Sequence, residues 1–351
     1  MPGSDAFERR RFLQLAALGV LGVAAGCSND NPIVRPPGSP TPTGTGTASS
    51  PPRVLAWKQI SAKGPAARKD HTLTANDSGT IAFLFGGRRG GAALADLWAL
   101  DRSSNSWARI GDAGPAPRFG HSATFIDGHL VVFGGQGNGA TFFDDSWAFD
   151  PVHGRWTKLG PAGKVPAARY GAGGCRIGSS LTVTHGFTTT GRFDDTWALA
   201  TKWTDVSPPK AARPFRRCLH RTAYLPGLAR MLLFGGQTDG TPFLGDTWLY
   251  DPNGPTWTEV KRPGPTPRNL YALGATDKNA YLFGGATAAG PSNEIWKFNV
   301  TAWKRLQTPG KGPGPRSGAE GAVVAGPSML VFGGTDGKTE LADLWELELP
   351  A

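Results

Sequence analysis

The sequence predicts an all-β protein in which six similar units close into a ring. The first observation behind this prediction is a motif that recurs six times along the chain. Its second glycines are Gly87, Gly135, Gly186, Gly236, Gly285 and Gly334, so successive copies lie 48 to 51 residues apart. The second observation is the composition, because Gly 50 and Pro 30 without a long helical periodicity after residue 26 favour short strands joined by turns. A repeat of this length is typical of blades arranged around an axis.

The third observation concerns the closure of the ring. Each of the first five units ends in a tryptophan, at Trp107, Trp156, Trp203, Trp257 and Trp303. No tryptophan follows Trp345 in the sixth unit, whereas Trp57-Lys58-Gln59-Ile60 stands before the first unit and matches Trp156-Thr157-Lys158-Leu159. The N-terminal strand near Trp57 is therefore expected to join the last unit and to lock the ring.

Each unit is expected to fold as four antiparallel strands, and the second unit shows why. Ser122–Phe125 and Leu130–Phe133 are apolar runs on either side of Asp127-Gly128, a pair that tolerates positive φ and favours a tight hairpin. Asp145–Phe149 and Trp156–Leu159 provide the third and fourth strands. One such sheet cannot bury both of its faces, so the six sheets are expected to stack side by side.

Each unit also repeats a Pro-x-x-Arg step and an acid-x-Trp step that are expected to hold the scaffold together. The arginines are Arg68, Arg118, Arg169, Arg217, Arg268 and Arg316. Each is predicted to pair with the carboxylate two residues before a tryptophan, at Asp96, Asp145, Asp195, Asp246, Glu294 and Asp343 respectively. The Gly-Gly pairs permit unusual φ and ψ angles near the axis, and the tryptophans fill the wider gaps between units. The alternative is a ring of arginines that binds an anion.

These motifs resemble those of the kelch-repeat family, in the form found in the central domain of galactose oxidase. Leu-Phe-Gly-Gly at 84–87, 233–236 and 282–285, Val-Phe-Gly-Gly at 132–135 and 331–334, and the Pro-x-x-Arg and acid-x-Trp steps provide the match. The resemblance implies a six-bladed kelch β-propeller over residues 54–351. It also implies that the loops after each Arg and after each Gly-Gly open on one face, called the loop face, where a ligand would bind.

The first 53 residues predict an exported protein tethered to a membrane. Residues 1–27 resemble a twin-arginine signal peptide, with Arg9-Arg10 before a short apolar run and a lipobox-like end at Cys27. Cys27 is the expected lipidation site, and the alternative is an incidental cysteine at an ordinary cleavage site. Residues 28–53, rich in Pro, Ser, Thr and Gly, are expected to form a disordered linker. The expected location is periplasmic or the outer face of the cytoplasmic membrane, with the lipid as the only membrane anchor.

The charge balance indicates the chemistry of the surroundings. The chain has a formal charge of +10, and residues 1–27 contribute +1, from three arginines against Asp5 and Glu8, so about +9 remains after cleavage. Such a charge favours phospholipid headgroups, acidic polysaccharide or an anionic wall polymer. Nucleic acid is not an expected partner because the protein is exported and no aromatic-basic recognition motif occurs. A monomer with two free thiols, Cys175 and Cys218, is expected.

Function is expected where the six copies differ, in the loops of the loop face. Their amide, hydroxyl, charged and aromatic groups suit a sugar or a peptide. His185 replaces the first glycine of a Gly-Gly pair, either as drift absorbed by a backbone shift or as a group that lines the channel. The stretch from Lys210 to Arg221 is either a solvated loop or, with Arg88 and Arg89, a basic rim. The candidate binding residues are Arg88, Arg89, His121, Gln136, Asn138, Tyr170, His185, His220, Gln237, Asp239 and Tyr271.

No metal or other cofactor is predicted. His71, His121 and His220 occupy the same position in their repeats, and their imidazoles could converge on a metal at the channel mouth. The stronger interpretation is that each ring packs and forms hydrogen bonds locally.

A binding module fits the sequence better than either of two enzyme classes. A copper radical oxidase like galactose oxidase needs a Cys-Tyr thioether, a second Tyr, two His ligands and a further C-terminal domain, and this set is not expected in the chain. A sugar mutarotase or epimerase, similar to exported kelch proteins that act on sialic acid, needs a positioned acid and base, for which Glu320, Asp239, His185 and His220 are available. The leading hypothesis is a lipid-anchored extracytoplasmic propeller that binds a carbohydrate, a wall polymer or a protein on its loop face.

Overall fold

A computed structural model describes residues 55–111 and 113–350, which form six four-stranded antiparallel sheets. The innermost strands of neighbouring sheets contact one another around the full circle, and the sixth sheet contacts the first. The predicted six-bladed, all-β propeller is therefore confirmed. The predicted signal peptide at 1–27, its lipidation at Cys27 and the linker at 28–53 lie outside the described residues and stay predictions.

The strands are numbered β1 to β30 in chain order, and those of each blade are named from the innermost to the outermost. Blade 1 consists of β2 (Thr72–Ala75), β3 (Ile81–Phe85), β6 (Leu97–Asp101) and β7 (Ser106–Gly111). Blade 2 consists of β8 (Ser122–Ile126), β9 (His129–Phe133), β10 (Ser146–Asp150) and β11 (Arg155–Leu159). Blade 3 consists of β12 (Gly173–Ile177), β13 (Ser180–Thr184), β16 (Thr196–Leu199) and β17 (Trp203–Asp205).

The second half of the ring repeats this order. Blade 4 consists of β18 (Arg221–Leu225), β19 (Arg230–Thr238), β20 (Thr241–Asp251) and β21 (Thr256–Glu259). Blade 5 consists of β22 (Ala272–Ala275), β23 (Ala280–Phe283), β26 (Ile295–Phe298) and β27 (Trp303–Leu306). Blade 6 consists of β28 (Glu320–Val324), β29 (Ser328–Phe332), β30 (Leu344–Glu348) and β1 (Trp57–Ile60).

Short hairpins extend three of the blades toward the loop face. They are β4 (Arg88–Arg89) with β5 (Ala92–Ala93), β14 (Phe187–Thr188) with β15 (Gly191–Arg192), and β24 (Ala286–Thr287) with β25 (Gly290–Pro291). The helical segments of the described chain are two 3-10 turns, Lys210–Ala212 and Pro226–Leu228. Across residues 55–111 and 113–350, no helix has the length and apolar character needed to cross a membrane.

The strand boundaries in blade 2 agree with the sequence to within one residue at each end. Asp127 and Gly128, at the predicted tight turn, have φ of 48° and 79°. The core lies between blades rather than within them. Phe83 of blade 1, for example, stacks on Phe125 of blade 2 with ring centroids 5.8 Å apart. Stacking of neighbouring sheets therefore buries the apolar residues on the sheet faces, as the repeat predicts.

The N-terminal strand closes the ring as expected. β1 pairs with β30 in antiparallel register, so that Trp57 faces Leu347. The Trp57 indole lies 4.9 Å from the Phe283 ring of blade 5. A Cβ added to Gly312 would lie 2.7 Å from that indole, just as one added to Gly64 would lie 2.3 Å from Trp107. Trp57 thus fills the place of the missing sixth tryptophan.

One buried charged cluster holds each blade together, and blade 2 is typical. Arg118 donates hydrogen bonds to both carboxylate oxygens of Asp145, at 2.6 and 3.1 Å, and to the carbonyl of Gly134 at 2.9 Å. Trp147 Nε1 donates to the same carboxylate at 2.7 Å. Burial alone would raise the pKa of Asp145, but the hydrogen bonds from Arg118 and Trp147 outweigh it and hold that pKa below its usual value.

All six predicted pairs are present, and every arginine in them is at most 2% exposed. The structural interpretation of the repeated arginines is therefore confirmed. The pairs are Arg68 with Asp96, Arg118 with Asp145, Arg169 with Asp195, Arg217 with Asp246, Arg268 with Glu294, and Arg316 with Asp343.

A ring of six backbone hydrogen bonds, termed the axial ring, closes the axis at the loop face. One residue from each blade donates its N–H to the carbonyl of the equivalent residue in the preceding blade, with N···O distances of 2.7 to 3.0 Å. All six have φ between 52° and 67°, although three of them are not glycine. The ring residues are Asp70, Gly120, Gly171, Leu219, Leu270 and Gly318.

Candidate functional site

The axial ring divides the molecule into two candidate sites. The loop face lies on one side of it, and on the other side a well of about 820 Å³ follows the axis to the opposite face. The lining of the well begins beside the ring, at Arg221 and Glu320, and ends at the inner-strand hairpins near Gly178 and Asp277. All six inner strands contribute to it. None of the six ring residues lines the well, so the two sites do not communicate through the lining.

The well is wide because small residues occupy much of its wall. Alanine and glycine leave the space near the axis open, and hydroxyl groups from blades 1 and 2 add polar surface. The small lining residues include Ala123, Gly174, Ala223, Gly274 and Gly321. The hydroxyl-bearing ones include Thr72, Thr74, Ser122 and Thr124.

An ion pair across the axis forms the floor of the well. Arg221 Nη2 of blade 4 contacts Glu320 Oε1 of blade 6, and the two side chains are 14% and 11% exposed. Blade 5 lies between them and has only Ala272 as the first residue of its inner strand, which leaves room for the contact. The hydroxyl of Tyr271 accepts a hydrogen bond from the Arg221 backbone N–H at 3.0 Å and so supports the arginine from below.

The carboxyl group of Glu320, at the floor of the well, has a pKa close to neutral pH. Burial raises the pKa of Glu320 to about 7, although the charge and hydrogen bond of Arg221 oppose this. Burial alone would lower the pKa of Arg221, but the charges of Glu320 and Asp70 outweigh it and raise that pKa, so the guanidinium stays charged. A carboxyl group with such a pKa in a cavity is typical of sites that exchange protons or bind ligands.

Two histidines beside the floor are neutral. Burial, reinforced by nearby arginines, holds the pKa of His71 and of His121 well below the usual value. His121 Nε2 lies 2.9 Å from Thr72 Oγ1, on the wall of the well. The floor therefore has one cation, Arg221, and one titrating acid, Glu320.

On the loop face, several predicted residues connect neighbouring blades. Arg88 donates to Asp70 Oδ2 at 2.7 Å and lies over the Phe119 ring, 4.8 Å from its centroid. Phe119 in turn meets the edge of Tyr170, with centroids 5.5 Å apart. Arg89 is exposed. These contacts place three of the predicted residues, Arg88, Arg89 and Tyr170, on one continuous surface.

The predicted amides on this face are engaged within and between loops. Gln136 Nε2 donates to the Gly139 carbonyl at 2.8 Å, and Asn138 Oδ1 accepts from the Ala93 N–H at 2.9 Å. Gln237 Oε1 accepts from the Asn269 amide at 3.3 Å. These hydrogen bonds stiffen the loops of blades 1, 2, 4 and 5.

Four other predicted residues, His121, His185, His220 and Tyr271, are at most 5% exposed. His185 keeps the left-handed φ of the glycines it replaces, at 58°. Its Nδ1 lies 2.7 Å from Thr184 Oγ1 and its ring lies 5.4 Å from that of His220. Burial lowers the pKa of His185 to about 3, so the ring is neutral. The ring packs between blades, the backbone is not displaced, and His185 does not line the well.

The histidines considered for a metal site are separated by their packing. His71 lies against Phe332, His121 against Phe85 and His220 against His185, with ring centroids 5.2 to 5.5 Å apart. In the part of the chain that the structure describes, no group of three His, Cys, Asp or Glu side chains could hold a metal ion. Cys175 and Cys218 are both free.

The basic stretch from Lys210 to Arg221 does not form a single rim. Arg213 pairs with Asp194 at 2.8 Å and Arg216 with Asp239 at 3.4 Å. Arg217 is buried in the cluster of blade 4, and Arg221 lies in the well. The arginines of this stretch therefore lie in three different environments: the loop face, the buried cluster of blade 4, and the well.

The acid and base candidates named from the sequence do not converge. Glu320 lies in the well, Asp239 is exposed on the loop face beside Arg192, and His185 packs against His220 in the interior. Sequence reasoning considered Arg221 and Glu320 separately and missed their contact. The signal was present, because they are the only charged residues at the first position of the six inner strands, where the others are Thr72, Ser122, Gly173 and Ala272.

Relatives of the chain share its repeat. It is similar to kelch domain-containing protein 3 of Bos taurus, with 26% identity over 333 residues that cover 84% of this chain and 85% of the relative. It is similar to an F-box/kelch-repeat protein of Arabidopsis thaliana, with 27% identity over 67% of this chain, and to the serine/threonine-protein phosphatase BSL2 of the same plant, with 33% identity over 35% of this chain. The chain spans 55% and 15% of the length of these two plant proteins.

A family model gives the broader assignment. The model described as the KLHDC2/KLHL20/DRC7 Kelch-repeats domain matches residues 52–227 and 200–351, which together include all six blades. The motifs, the blades and this match agree, and the chain belongs to the kelch-repeat family.

Proposed function

We propose that this protein is an interaction module that docks a partner protein on its loop face. Kelch propellers generally mediate protein interactions. One relative is named an F-box/kelch-repeat protein and another a protein phosphatase, so similar repeats occur in chains with different activities. That distribution is expected of a binding module. Because a fold alone does not determine function, the proposal depends on the surface itself.

The observation that supports this proposal most directly is the exposure of Phe215. It is 59% exposed, and the other exposed large apolar residue within the described ranges is Val152, at 48%. Phe215 stands in the connection from blade 3 to blade 4, beside a cavity of about 570 Å³ on the loop face. An accessible aromatic ring at a cavity edge is typical of the residues that dominate the binding energy of protein interfaces.

Charged groups of both signs surround this aromatic residue. The Arg216 guanidinium lies 5.8 Å from the Phe215 ring and 3.4 Å from Asp239, which also pairs with Arg192. Lys210 lines the same cavity. A partner that inserts an apolar side chain beside a hydrogen-bonding or acidic group would fit this edge.

The loops of the loop face, beside the Phe215 cavity and farther around the ring, are held in place before binding. Hydrogen bonds and ring contacts join the loops of blades 1 and 2 through Asn138 and Arg88, and an ion pair joins blades 3 and 4 through Arg192. A surface that is already ordered loses less entropy when a partner docks. This favours a stable platform over a loop that folds on binding.

Affinity capture from the source cells with paired variants tests the proposal. Wild type and Phe215→Ser would be compared with Val152→Ser, which alters an exposed apolar residue at a turn between outer strands. We expect proteins that are retained by wild type and Val152→Ser but weakened at least about tenfold by Phe215→Ser, because truncation of an anchor residue costs about 1.4 kcal/mol or more.

Carbohydrate and wall polymer are the alternative ligands for the same face. A polysaccharide array probed with the full chain separates them from a protein. If Phe215→Ser abolishes binding to a polysaccharide and changes no captured protein, the docking of a protein partner is wrong and a glycan ligand replaces it.

A further inference from the structure

We infer that the well holds a small hydroxylated carboxylate, and that the ligand's carboxylate takes the place of Glu320 on the guanidinium of Arg221. This site is independent of the loop face because the axial ring separates the two. Its volume of about 820 Å³ lies within the range of about 300 to 1,000 Å³ that is typical of small-ligand sites.

Arg221 makes fewer hydrogen bonds than the arginines of the blade clusters. Arg118 makes four side-chain hydrogen bonds, to two carbonyls and to both oxygens of Asp145. Arg221 contacts Glu320 through Nη2, whereas its buried Nε has no hydrogen-bond partner among the described residues. Nε and Nη2 form one edge of the planar guanidinium, and a carboxylate can bind such an edge through two parallel hydrogen bonds. The floor therefore offers an incompletely satisfied carboxylate receptor.

Glu320 can release Arg221 when it takes up a proton. Burial raises its pKa to about 7, so near neutral pH it gains a proton readily and then no longer competes as an anion for Arg221. The charged groups that act on it are Arg221, which opposes this shift, and Asp70, which adds to it. The histidines that interact electrostatically with Arg221 are His71, His121 and His220, and all three are neutral because burial holds their pKa well below the usual value. Binding of an anion is thus accompanied by uptake of one proton by Glu320, and the charge of the floor is unchanged.

The wall of the well indicates the chemistry of the rest of the ligand. Above the floor, the wall presents the hydroxyls of Thr74 and Thr124 among alanines and glycines. Tyr224 and Asp277 stand nearer the mouth. Hydroxyl groups on the ligand would meet hydroxyl partners along the wall, whereas a purely apolar tail would leave them unpaired. A short hydroxylated acid fits this pattern.

The test is calorimetric titration of the purified full chain with matched acids and alcohols. D-gluconate is compared with sorbitol, and D-glycerate with glycerol, because each pair differs only at one carboxylate. We expect at least one acid to bind at least about tenfold more tightly than its alcohol, which corresponds to about 1.4 kcal/mol. Affinity should fall about tenfold per pH unit above pH 7, because each bound anion requires a proton that is scarcer there. Titration in two buffers with different ionisation heats measures the proton directly.

Variants identify the floor as the receptor. Glu320→Gln removes the competing anion, so it should bind the acid at least as well as wild type and lose the pH dependence. Arg221→Met should abolish binding, and Arg155→Met, which alters an exposed arginine on the outer strand of blade 2, should change nothing. If Arg221→Met fails to fold, the altered pH profile of Glu320→Gln still decides the question.

Three results would overturn the inference. One is equal affinity for an acid and its alcohol, which would indicate a polyol site. Another is equal affinity for gluconate and inorganic phosphate, which would indicate a general anion site. The third is binding weaker than about 10 mM for both acids, in wild type and Glu320→Gln alike.

Discussion

The six blade clusters and the floor of the well contain the same pair of groups, a buried arginine and a carboxylate, yet their acids shift in opposite directions. Asp145 accepts three hydrogen bonds, two from Arg118 and one from Trp147, and its pKa lies below its usual value. Glu320 meets Arg221 through one nitrogen in a deeper site, and burial raises its pKa to about 7. A neighbouring positive charge alone does not keep a buried acid ionised, because hydrogen bonds to the charged form must also offset burial.

This difference distinguishes the blade clusters, which belong to the scaffold, from the Arg221–Glu320 pair, which belongs to the candidate site. The clusters are saturated with hydrogen bonds and occur once in every blade, so they have little capacity left for a ligand. The floor pair occurs once, spans two blades that are not adjacent, and leaves a buried Arg221 nitrogen without a partner among residues 55–111 and 113–350. A buried polar group without a partner calls for an explanation, and a bound ligand would provide one here.

The largest expected effect comes from breaking a saturated cluster. Arg118→Ala should lower the free energy of unfolding by about 3 to 5 kcal/mol, because it leaves Asp145 buried without its charged partner. Denaturant unfolding monitored by tryptophan fluorescence measures this. Arg155→Ala, an exposed control, should stay within about 0.5 kcal/mol of wild type. A loss below about 1 kcal/mol for Arg118→Ala would contradict the structural role of the clusters.

A change of pH is expected to have an intermediate effect on stability, through Glu320 at the floor of the well. The pKa of Glu320 is raised from 4.5 to about 7 in the folded protein, so the folded state binds the proton more tightly and stability falls as pH rises through this window. Glu320→Gln removes that dependence. Its stability relative to wild type should therefore rise by about 3 kcal/mol between pH 4.5 and pH 7 and level off above, since each pKa unit corresponds to about 1.4 kcal/mol.

Asp145→Asn provides the contrasting measurement. The pKa of Asp145 is lowered from 3.8, so its contribution is fully present above that pH and is lost as pH falls through the folded-state pKa. The stability difference between this variant and wild type should be constant from pH 5 to pH 7. Parallel pH profiles for the two variants would show that the distinction between cluster and floor is wrong.

The smallest effect is expected for an exposed pair. Arg216 and Asp239 lie 3.4 Å apart, but their side chains are 52% and 51% exposed. Arg216→Ala should change the free energy of unfolding by less than about 0.5 kcal/mol, and added salt should reduce even that. Unfolding curves at low and high ionic strength measure it. A loss comparable with that of Arg118→Ala would mean that exposure does not separate the two kinds of pair.

The scaffold was predictable because its residues recur. Six copies of Pro-x-x-Arg and acid-x-Trp made it possible to predict which arginine meets which carboxylate, and Trp57 revealed the closure. The axial ring was not predictable in the same way, because its bonds join backbone atoms. Leu219 and Leu270 adopt a left-handed φ, which is uncommon for leucine, so the sequence does not predict it.

The site was harder to predict because it depends on residues that do not recur. Arg221 and Glu320 stand almost 100 residues apart, in blades 4 and 6, and meet across the axis, where the corresponding residue of the blade between them is the small Ala272. His185, conversely, looked informative as a break in the repeat, yet it packs into the interior at 0% exposure. A break in repetition shows where to look, and burial decides whether a ligand can reach it.

The pairing of β1 with β30 also determines the order in which the molecule can be completed. Trp57 to Ile60 leave the ribosome before any other strand of the propeller, but their hydrogen-bonding partners, Leu344 to Leu347, belong to the last strand of the propeller to be synthesised. Five blades can form as the chain emerges, while the first strand must wait unpaired until the strands of blade 6 have been synthesised. The contact that closes the ring thus joins the first strand of the propeller to be synthesised to the last, and blade 6 is complete only when the whole propeller has been made.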